Sequence, residues 1–556
     1  WGFDCLNRFN GMWSFALWDN TKKILFCSRD RFGVKPFNYY FDGNRFIFGS
    51  EIKQILVNDI DKSINNEVIY KSLKIGSYLI NSDCSFFKNI KILPHSHYIT
   101  IQNGNLEIKR YYDLPIHNFG KSKLSFNEAC KEYEKLFVDA VKLRMRSDVE
   151  VGSALSGGLD SSAIVATAVN FTDKKFKTFS SFYTNASEYD ERKWINLISE
   201  KFNTIPYFIS ADADTVLNDL EKITWYHDYP VPGSSPVSQN YVMKLARENG
   251  VTVLLDGQGS DEITGGYNHA FYRYYAYLLK SGKLIKFLKE YPTYLKYNKK
   301  GSFFDKIIKL AALVIYSESS IYKKEGKHRL LNPLNVTFND SIIFDNILDL
   351  KTDKLSNFLY NQMMSTSIQT LLHFEDRNSM AHSIESRVPF MDYRLVEFVF
   401  SLPPEYKIQK HQGKFIHRES LKNIVPKEIM ERKDKVGFLA PGEKFWLRNE
   451  MKPFMEKILD SSEFKNREIY NHGLIKNEFK KYLNGNNSYA NTLWQIMALE
   501  IWFRKFVDWK VKHLLIIFAA RILKQNNYLD EILNKIHPKL NSKKIYPTIQ
   551  PYYNQI

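Results

Sequence analysis

Two glycine-rich stretches, each carrying a carboxylate, follow short apolar runs in this chain. The first, SGGLDSS at residues 156–162, comes directly after the apolar run 151–155 and precedes the helix-like run AIVATAV. Glycines allow the backbone to approach an anion closely, while serine hydroxyls and a helix N-terminus supply hydrogen-bond donors. The stretch therefore predicts a phosphate-binding loop. Because Asp160 would repel a phosphate, it also predicts a Mg²⁺ ion between the two.

The second stretch, DGQGSDE at residues 256–262, follows the apolar run VTVLL and places the carboxylate of Asp261 near its end. Ligands of open parallel sheets bind beyond the carboxyl ends of the strands. We therefore expect Asp160 and Asp261 to hold one Mg²⁺ together with pyrophosphate. Each loop by itself could be only a tight strand-to-helix turn with a helix cap. Two such loops with matched carboxylates favour the phosphate site.

A kinase- or GTPase-type phosphate loop is disfavoured. The pattern GxxxxGK[ST] would end at Gly120-Lys121-Ser122, but Pro115 stands where its first glycine is required. No intact version of the pattern occurs elsewhere in the sequence.

The elements that must position these loops alternate between strand and helix. From residue 126, an amphipathic helix (126–146) precedes apolar strands predicted at 151–155, 177–182, 206–210 and 251–256, which indicates a doubly wound parallel sheet. Residues 10–112 are β-rich and contain two hairpin patterns, YYFDGNRFIF and HYITIQNGNLEI. Residues from about 342 to 506 are mostly helical in pattern. The predicted fold is α/β, with a β-rich N-terminal part and a helical C-terminal half.

Composition limits the class of protein. The 556 residues suffice for two or three domains, and the net charge is +17. This charge fits either an anionic partner or lysines spread over solvated faces. We favour solvated faces, because the densest basic stretch (280–309) mixes lysine with leucine, tyrosine and phenylalanine. The four cysteines show no zinc or disulfide spacing, which fits the cytoplasm, and the longest apolar runs are too short to span a membrane.

Several motifs together resemble one family. SGGLDSS looks like the pyrophosphate loop of the ATP pyrophosphatase superfamily. With DGQGSDEITGGY (256–267), IESRVPFMD (384–392), GKFIHRES (413–420) and ERKDKVGF (431–438), it is similar to the glutamine-hydrolysing asparagine synthetases. NGMWSFALWD (10–19), SRDRFGVKPFNYY (28–40) and FGSEIKQIL (48–56) resemble the second half of that family's glutaminase domain. The resemblance extends from about Cys5 to Phe506.

The resemblance implies a domain order and a reaction. A partial class II glutamine amidotransferase domain of Ntn type would cover residues 1–115, an asparagine synthetase ATP-pyrophosphatase domain 124–508, and an unassigned tail 509–556. ATP would activate the aspartate side chain as an acyl-adenylate, and ammonia from glutamine would then attack it. The implied partners are aspartate, ATP and glutamine or ammonia, without nucleic acid or membrane. A homodimer remains open.

The resemblance also implies functional residues. Lys433 and Gln258 would be catalytic, and Asp160 and Asp261 would bind Mg²⁺. In the ATP site, residues 156–162 would hold pyrophosphate, Ala154 and Ser181 would contact adenine, and Asp256 and Gly257 would contact the ribose. The implied nucleotide-binding set is Ala154, Leu155, Ser156, Gly157, Gly158, Leu159, Asp160, Ser161, Ser162, Ser181, Asp256, Gly257 and Asp261. Arg387 and Lys414 are expected to be structural or secondary contacts.

Two features depart from the family pattern. Gln258 stands where the asparagine-forming members carry Glu, and an amide cannot take up a proton. The acceptor could therefore be a uronic sugar or another carboxylate instead of aspartate. The family's nucleophilic N-terminal cysteine and oxyanion-hole Asn-Gly would lie upstream of residue 1, and Cys5 matches a mid-domain stretch. We therefore expect a fragment that does not hydrolyse glutamine and that uses free ammonia at most.

Other interpretations remain open. A tRNA-modifying ATP pyrophosphatase would also fit SGGLDSS and the basic charge, and a non-catalytic ATP-binding relative would fit Gln258. His382 and Glu385 lie three residues apart and could bind a metal, but a packed, hydrogen-bonded position is favoured. The run FYRYYAYLL (271–279) is interpreted as an aromatic helix face packed on the core.

Overall fold

The computed structural model describes residues 1–75, 83–183, 189–298, 302–322, 347–432 and 440–508. The chain divides into two compact units, Trp1–Leu499 and Glu500–Ile556. In the described part of the second unit, a helix ends in a π-helical turn at Arg504–Asp508, where Arg504 Nε lies 3.0 Å from Glu500 Oε1. No helix in the described ranges is long and apolar enough to cross a membrane.

Helices make up most of the C-terminal half, as the sequence predicts. The α-helices of the described residues are α1 Cys5–Arg8, α2 Ile52–Leu56, α3 Asn66–Ile75, α4 Phe126–Arg144, α5 Leu159–Ala168, α6 Arg192–Lys201, α7 Ala213–His227, α8 Ser234–Glu248, α9 Ser260–Thr264, α10 Asn268–Lys280, α11 Leu284–Tyr297, α12 Phe303–Ile315, α13 Lys354–Asn361, α14 Ile368–Ala381, α15 Tyr393–Ser401, α16 Pro404–Lys407, α17 Phe415–Ser420, α18 Lys427–Met430, α19 Lys452–Asp460, α20 Ser462–Lys465, α21 His472–Leu483 and α22 Ala490–Phe503.

Two antiparallel sheets form the N-terminal part. The four-stranded sheet has the order β1-β2-β6-β7, and the three-stranded sheet has the order β4-β3-β5. Both predicted hairpins are confirmed, with Phe41 paired to Phe46 and Gln102 paired to Asn105. Their turns contain Gly43 at a φ of +92° and other left-handed residues, the conformation that such turns require. The strands are β1 Ser14–Asp19, β2 Ile24–Arg29, β3 Asn38–Phe41, β4 Phe46–Gly49, β5 Lys91–Ile92, β6 His97–Gln102 and β7 Asn105–Arg110.

A five-stranded parallel sheet forms the centre of the α/β part, as predicted. Its order is β10-β9-β8-β11-β12, and its strands are β8 Val151–Ala154, β9 Lys177–Ser181, β10 Ile205–Ile209, β11 Val253–Leu255 and β12 Glu385–Arg387. The first four lie within one residue of the predicted strands at most ends. The fifth was not predicted, because its three residues, Glu-Ser-Arg, carry no apolar pattern and acquire strand geometry only by pairing with β11.

Helices α5, α6 and α8 pack on this sheet, and further helices share its apolar core. Helix α4 begins at a capping box in which the Ser125 side chain and Glu128 satisfy each other's backbone N–H groups. Helix α10 buries the side chains of Phe271, Tyr274 and Tyr275 in the main apolar core. The interpretation of residues 271–279 as a packed aromatic face is therefore confirmed.

Candidate functional site

The two glycine-rich loops lie side by side at the carboxyl ends of two inner strands of the parallel sheet. Strands β8 and β11 are neighbours with Ser153 paired to Leu255, so the loops that follow them leave the sheet together. Ser260 Oγ donates a hydrogen bond of 2.8 Å to Asp160 Oδ1 and joins the second loop to the first. A Cβ atom on Gly257 would lie 3.3 Å from Asp160 Cβ. The structure thus brings together the two loops that the sequence singled out.

The first loop has the backbone of an anion cradle. Gly157 has a φ of +66°, and a Cβ atom there would lie 2.7 Å from Trp194 Cβ, so only glycine fits. Ser161 Oγ accepts a hydrogen bond of 3.2 Å from the Ser156 N–H and braces the loop. The hydroxyl of Ser162 is buried and has no hydrogen-bond partner within the described ranges. These hydroxyls and amides stand at the start of α5, where an anion would be stabilised.

Asp160 and Asp261 converge on the ammonium group of Lys414. Lys414 Nζ lies 2.6 Å from Asp160 Oδ2 and 2.7 Å from Asp261 Oδ1. Burial by itself favours the neutral amine, but the two carboxylates outweigh it and raise the pKa of Lys414. The Mg²⁺ expected between these two aspartates stays a prediction, and in the structure the ammonium group of Lys414 lies between them. Lys414, expected to be a secondary contact, is at the centre of the cluster.

Glycines make room for this cluster. A Cβ atom on Gly266 would lie 1.8 Å from Asp261 Oδ1 and 2.4 Å from Lys414 Cε. A Cβ atom on Gly413 would lie 2.6 Å from the carbonyl oxygen of Gly265. The glycines in TGGY and GKF therefore permit the second loop and the lysine to approach each other, a requirement that the sequence motifs did not reveal.

A second group of buried polar side chains lies behind the second loop. Glu375 accepts hydrogen bonds from Ser386 and Gln239. Burial, and then the charge of Asp256, raise the pKa of Glu375 well above its usual value. Burial likewise raises the pKa of Asp256 to about 6, although backbone hydrogen bonds, the largest from Gln258, oppose the shift. Both carboxyl groups are therefore harder to ionise than a carboxyl group in water.

The other predicted nucleotide contacts lie along the same sheet edge. Ala154 ends β8 and pairs with Phe179, while Ser181 ends the adjacent strand β9. Leu155 and Leu159 are buried in the main apolar core, so their backbones and not their side chains are available to a ligand. Gly158 stands at the N-cap of α5.

Lys433 lies outside the described residues, but its neighbour in sequence reaches the first loop. Arg432 Nη1 donates a hydrogen bond of 2.9 Å to the Gly157 carbonyl, and the same guanidinium is paired with buried Glu191. The Cζ atom of Arg432 also lies 5.0 Å from the centre of the Trp194 ring. Arg432 was not predicted, although its position inside the ERKDK motif was a signal.

Two other predictions concern β12 and the residues before it. His382 Nε2 lies 3.1 Å from Asn240 Oδ1, and Glu385 pairs with Arg387 at 2.6 Å. No group of three or more histidine, cysteine and carboxylate side chains that could hold a metal occurs within the described ranges. Both side chains are hydrogen-bonded within the protein, but only His382 fits the packed interpretation, because the side chain of Glu385 is 45% exposed. Arg387 is structural, because its Nη1 donates to the carbonyl oxygen of Arg144 at 2.6 Å and to a second main-chain carbonyl.

Comparisons with known proteins cover both parts of the chain. The family model for asparagine synthase matches residues 132–504, and the model for a glutamine amidotransferase domain matches residues 1–112. The first match includes both loops, Lys414 and β12. The second includes both antiparallel sheets.

Three relatives illustrate the similarity. A putative asparagine synthetase [glutamine-hydrolyzing] 2 of Methanocaldococcus jannaschii is 42% identical over 277 residues, which are 48% of this chain and 51% of the relative. Asparagine synthetase [glutamine-hydrolyzing] 3 of Bacillus subtilis is 32% identical over 78% of this chain and 68% of the relative. Asparagine synthetase [glutamine-hydrolyzing] 1 of the same organism is 27% identical over 90% of this chain and 78% of the relative.

The match thus spans about half the length of the first relative and more than two thirds of the other two. Because the asparagine synthase model alone covers most of the sequence, the chain belongs to the asparagine synthase family, a family of ATP-dependent amidotransferase ligases.

Proposed function

We propose that this chain uses ATP to activate the side-chain carboxylate of aspartate and converts it to the amide of asparagine. The carboxylate attacks the α-phosphorus of ATP, so that β-aspartyl-AMP forms and pyrophosphate leaves. Ammonia then attacks the acyl carbon, AMP leaves, and a proton is released. One observation carries the proposal. Asp160 and Asp261 follow adjacent strands, and their carboxylates converge on the ammonium group of Lys414.

The physical need for such a site follows from the leaving groups. A free carboxylate is a poor acyl donor because oxide would have to leave, whereas AMP leaves readily. Forming the adenylate concentrates negative charge where pyrophosphate departs, so cations and preorganised donors at that point stabilise the transition state. Cleavage beside a glycine-rich loop, next to two carboxylates and a lysine, suits this requirement.

In this proposal, residues 156–162 hold pyrophosphate. The left-handed backbone of Gly157, the amides at the start of α5 and the unbonded hydroxyl of Ser162 support the assignment. Ala154 and Ser181 contact the adenine, and Asp256 and Gly257 contact the ribose. We keep Lys433 as the proposed catalytic cation, on its motif alone.

Mg²⁺ is part of the proposal. The carboxylates of Asp160 and Asp261 are hard oxygen donors that already converge on one positive charge, and Mg²⁺ is commonly held by one or two carboxylates together with substrate phosphates. When bound, the metal would neutralise charge on the phosphates. Lys414 would then release at least one carboxylate, which leaves its ammonium group available to a phosphate oxygen.

The acceptor is proposed as aspartate, with a second candidate that Gln258 favours. The side chain of Gln258 is an amide, so this position offers a hydrogen-bonding group and not a titrating one. A uronic sugar carboxylate is the second candidate. The nitrogen donor is ammonia, or glutamine in a longer protein, which the amidotransferase match supports.

The test is pyrophosphate release measured with Mg·ATP, ammonia and one acceptor at a time: aspartate, glucuronate or unmodified tRNA. Aspartate-dependent release with equal amounts of AMP and asparagine supports the proposal. Release that depends only on glucuronate moves the assignment to the sugar, and release that depends only on tRNA, or ADP as the product, refutes it. Asp160→Asn and Asp261→Asn should each lower the rate at least about a hundredfold. The matched control is Asp305→Asn, an exposed aspartate on α12.

A further inference from the structure

Helices α11 and α12 expose an unusual amount of apolar surface. Of the 23 large hydrophobic residues that are exposed in the described part of the chain, ten lie within residues 284–316. The most exposed are Phe304 at 75%, Ile285 at 73%, Ile315 at 72%, Leu288 at 68% and Ile308 at 66%. Exposed apolar residues scattered singly are ordinary, but a concentration of this kind marks an interaction surface. We call residues 284–297 and 303–315 the α11–α12 surface.

Helix α12 has two apolar faces. Leu310 and Leu313 are buried on the side from which α12 packs on α10. Phe304, Ile308 and Ile315 recur at helical spacing on the opposite side and are exposed. A surface helix needs only one apolar face to dock on its own protein. The second face therefore has no function in the fold of the described residues.

Lysines outnumber acidic side chains in this part of the chain. Among the described residues of 280–316, the acidic side chains are Glu290, which is buried, and Asp305. Lys289 and Lys296 are exposed on α11. The other lysines among the described residues of this stretch are Lys280, Lys283, Lys286, Lys306 and Lys309. Lys306 is buried and donates to the carbonyl oxygen of Asn298, and Lys283 and Lys286 are paired with Glu405 and Glu290. The sequence alone led us to interpret this stretch as solvated lysine, but the structure shows that leucine, isoleucine and phenylalanine are exposed with it.

We propose that the α11–α12 surface binds the face of a membrane containing anionic phospholipid. Helices that lie in a membrane interface combine an apolar face with lysines that contact the head groups, which is the combination found here. A second copy of this chain is the less suitable occupant, because two surfaces with the same excess of lysine would repel each other. The binding is peripheral and requires no membrane-spanning helix.

Co-sedimentation with vesicles tests this proposal. The full chain should bind vesicles of phosphatidylcholine mixed with phosphatidylglycerol and bind vesicles of phosphatidylcholine alone much more weakly, and added salt should reduce the difference. The double variant Phe304→Ser with Ile308→Ser should bind the anionic vesicles at least about tenfold more weakly than the wild type. Lys289→Gln with Lys296→Gln should weaken binding by a similar factor of about ten.

The control removes exposed apolar side chains elsewhere. Val57→Ser with Val149→Ser changes residues that are 83% and 53% exposed and should leave vesicle binding unchanged. All variants should retain wild-type pyrophosphate release, which shows that they are folded. The proposal is overturned if the wild type does not prefer anionic vesicles, or if the control loses binding as much as the α11 and α12 variants. It is also overturned if Phe304→Ser with Ile308→Ser dissociates a dimer while vesicle binding persists.

Discussion

Replacing Lys414 by methionine tests the centre of the site most directly. Lys414, Asp160 and Asp261 have side chains that are 7%, 11% and 23% exposed, so the removed charge leaves two largely buried carboxylates facing each other. Both oxygens lie within 2.7 Å of Nζ, which places them at most about 5 Å apart. At an effective dielectric constant near 20, two unit charges at this distance repel by about 3 kcal/mol.

The loss of the charge-assisted hydrogen bonds adds to this repulsion, and removing one partner of a buried ion pair typically costs about 3–5 kcal/mol. We therefore expect Lys414→Met to lower the melting temperature by several degrees in a buffer containing EDTA. Without the ammonium group between them, the two carboxylates should then bind Mg²⁺ more tightly than in the wild type, where the ammonium competes. Adding MgCl₂ without nucleotide should restore much of the lost stability in the variant and change the wild type little. Differential scanning fluorimetry with a MgCl₂ titration measures both effects.

Lys407→Met is the matched control. Lys407 is also fully buried, but its Nζ donates to the carbonyl oxygen of Leu402, and burial lowers its pKa to about 8. Its removal should not create a Mg²⁺ dependence. If Mg²⁺ stabilises Lys414→Met no more than it stabilises Lys407→Met, the two aspartates do not form the proposed cation site.

Three further predictions concern the same sheet edge. Gly266→Ala places a methyl group 1.8 Å from Asp261 Oδ1 and should destabilise the chain by about 1–3 kcal/mol, whereas Gly473→Ala in open space should be neutral or stabilising; equal melting temperatures would contradict this. The pKa of Asp256 is about 6 in the folded state, so its carboxyl contributes stability at low pH that is lost as pH rises from about 4 through 6. Asp256→Asn should therefore gain stability relative to the wild type over that range, by roughly 2–3 kcal/mol at pH 7, and a difference in melting temperature that does not change with pH would show that Asp256 titrates normally. Arg432→Gln removes a hydrogen bond to the first loop and should raise the KM for ATP about tenfold with a smaller change in kcat, as initial rates would show; an unchanged KM would mean that Arg432 does not hold the loop.

The sequence was informative where structure is local. The hairpins at residues 38–49 and 97–110 follow from Asp-Gly and Asn-Gly turns between strand-forming residues, and the strands before both glycine-rich loops follow from short apolar runs. The loops themselves were recognisable because glycine is needed wherever a backbone turns sharply beside an anion. The domain boundaries and the residues assigned to ATP and Mg²⁺ stay predictions.

What the sequence could not supply was the partner of each charge. Lys414 is 254 residues from Asp160 along the sequence. Glu375 lies on helix α14, which is also far from Asp256 along the sequence. No local pattern distinguishes a lysine that neutralises two aspartates from a lysine in solvent. The composition of residues 280–316 also fits two different surfaces, one of solvated lysines and one of exposed apolar side chains.

The sequence by itself therefore determined most of the order of strands and helices, the two loops and the family to which the chain belongs. Only the tertiary structure decided that one ammonium group occupies the space between the two aspartates, that burial raises the pKa of Glu375, and that α12 exposes a second apolar face. The reason is that backbone conformation depends largely on neighbouring residues. The energy of a buried charge, or of an exposed apolar side chain, depends on which distant groups the folded chain brings within a few ångströms of it.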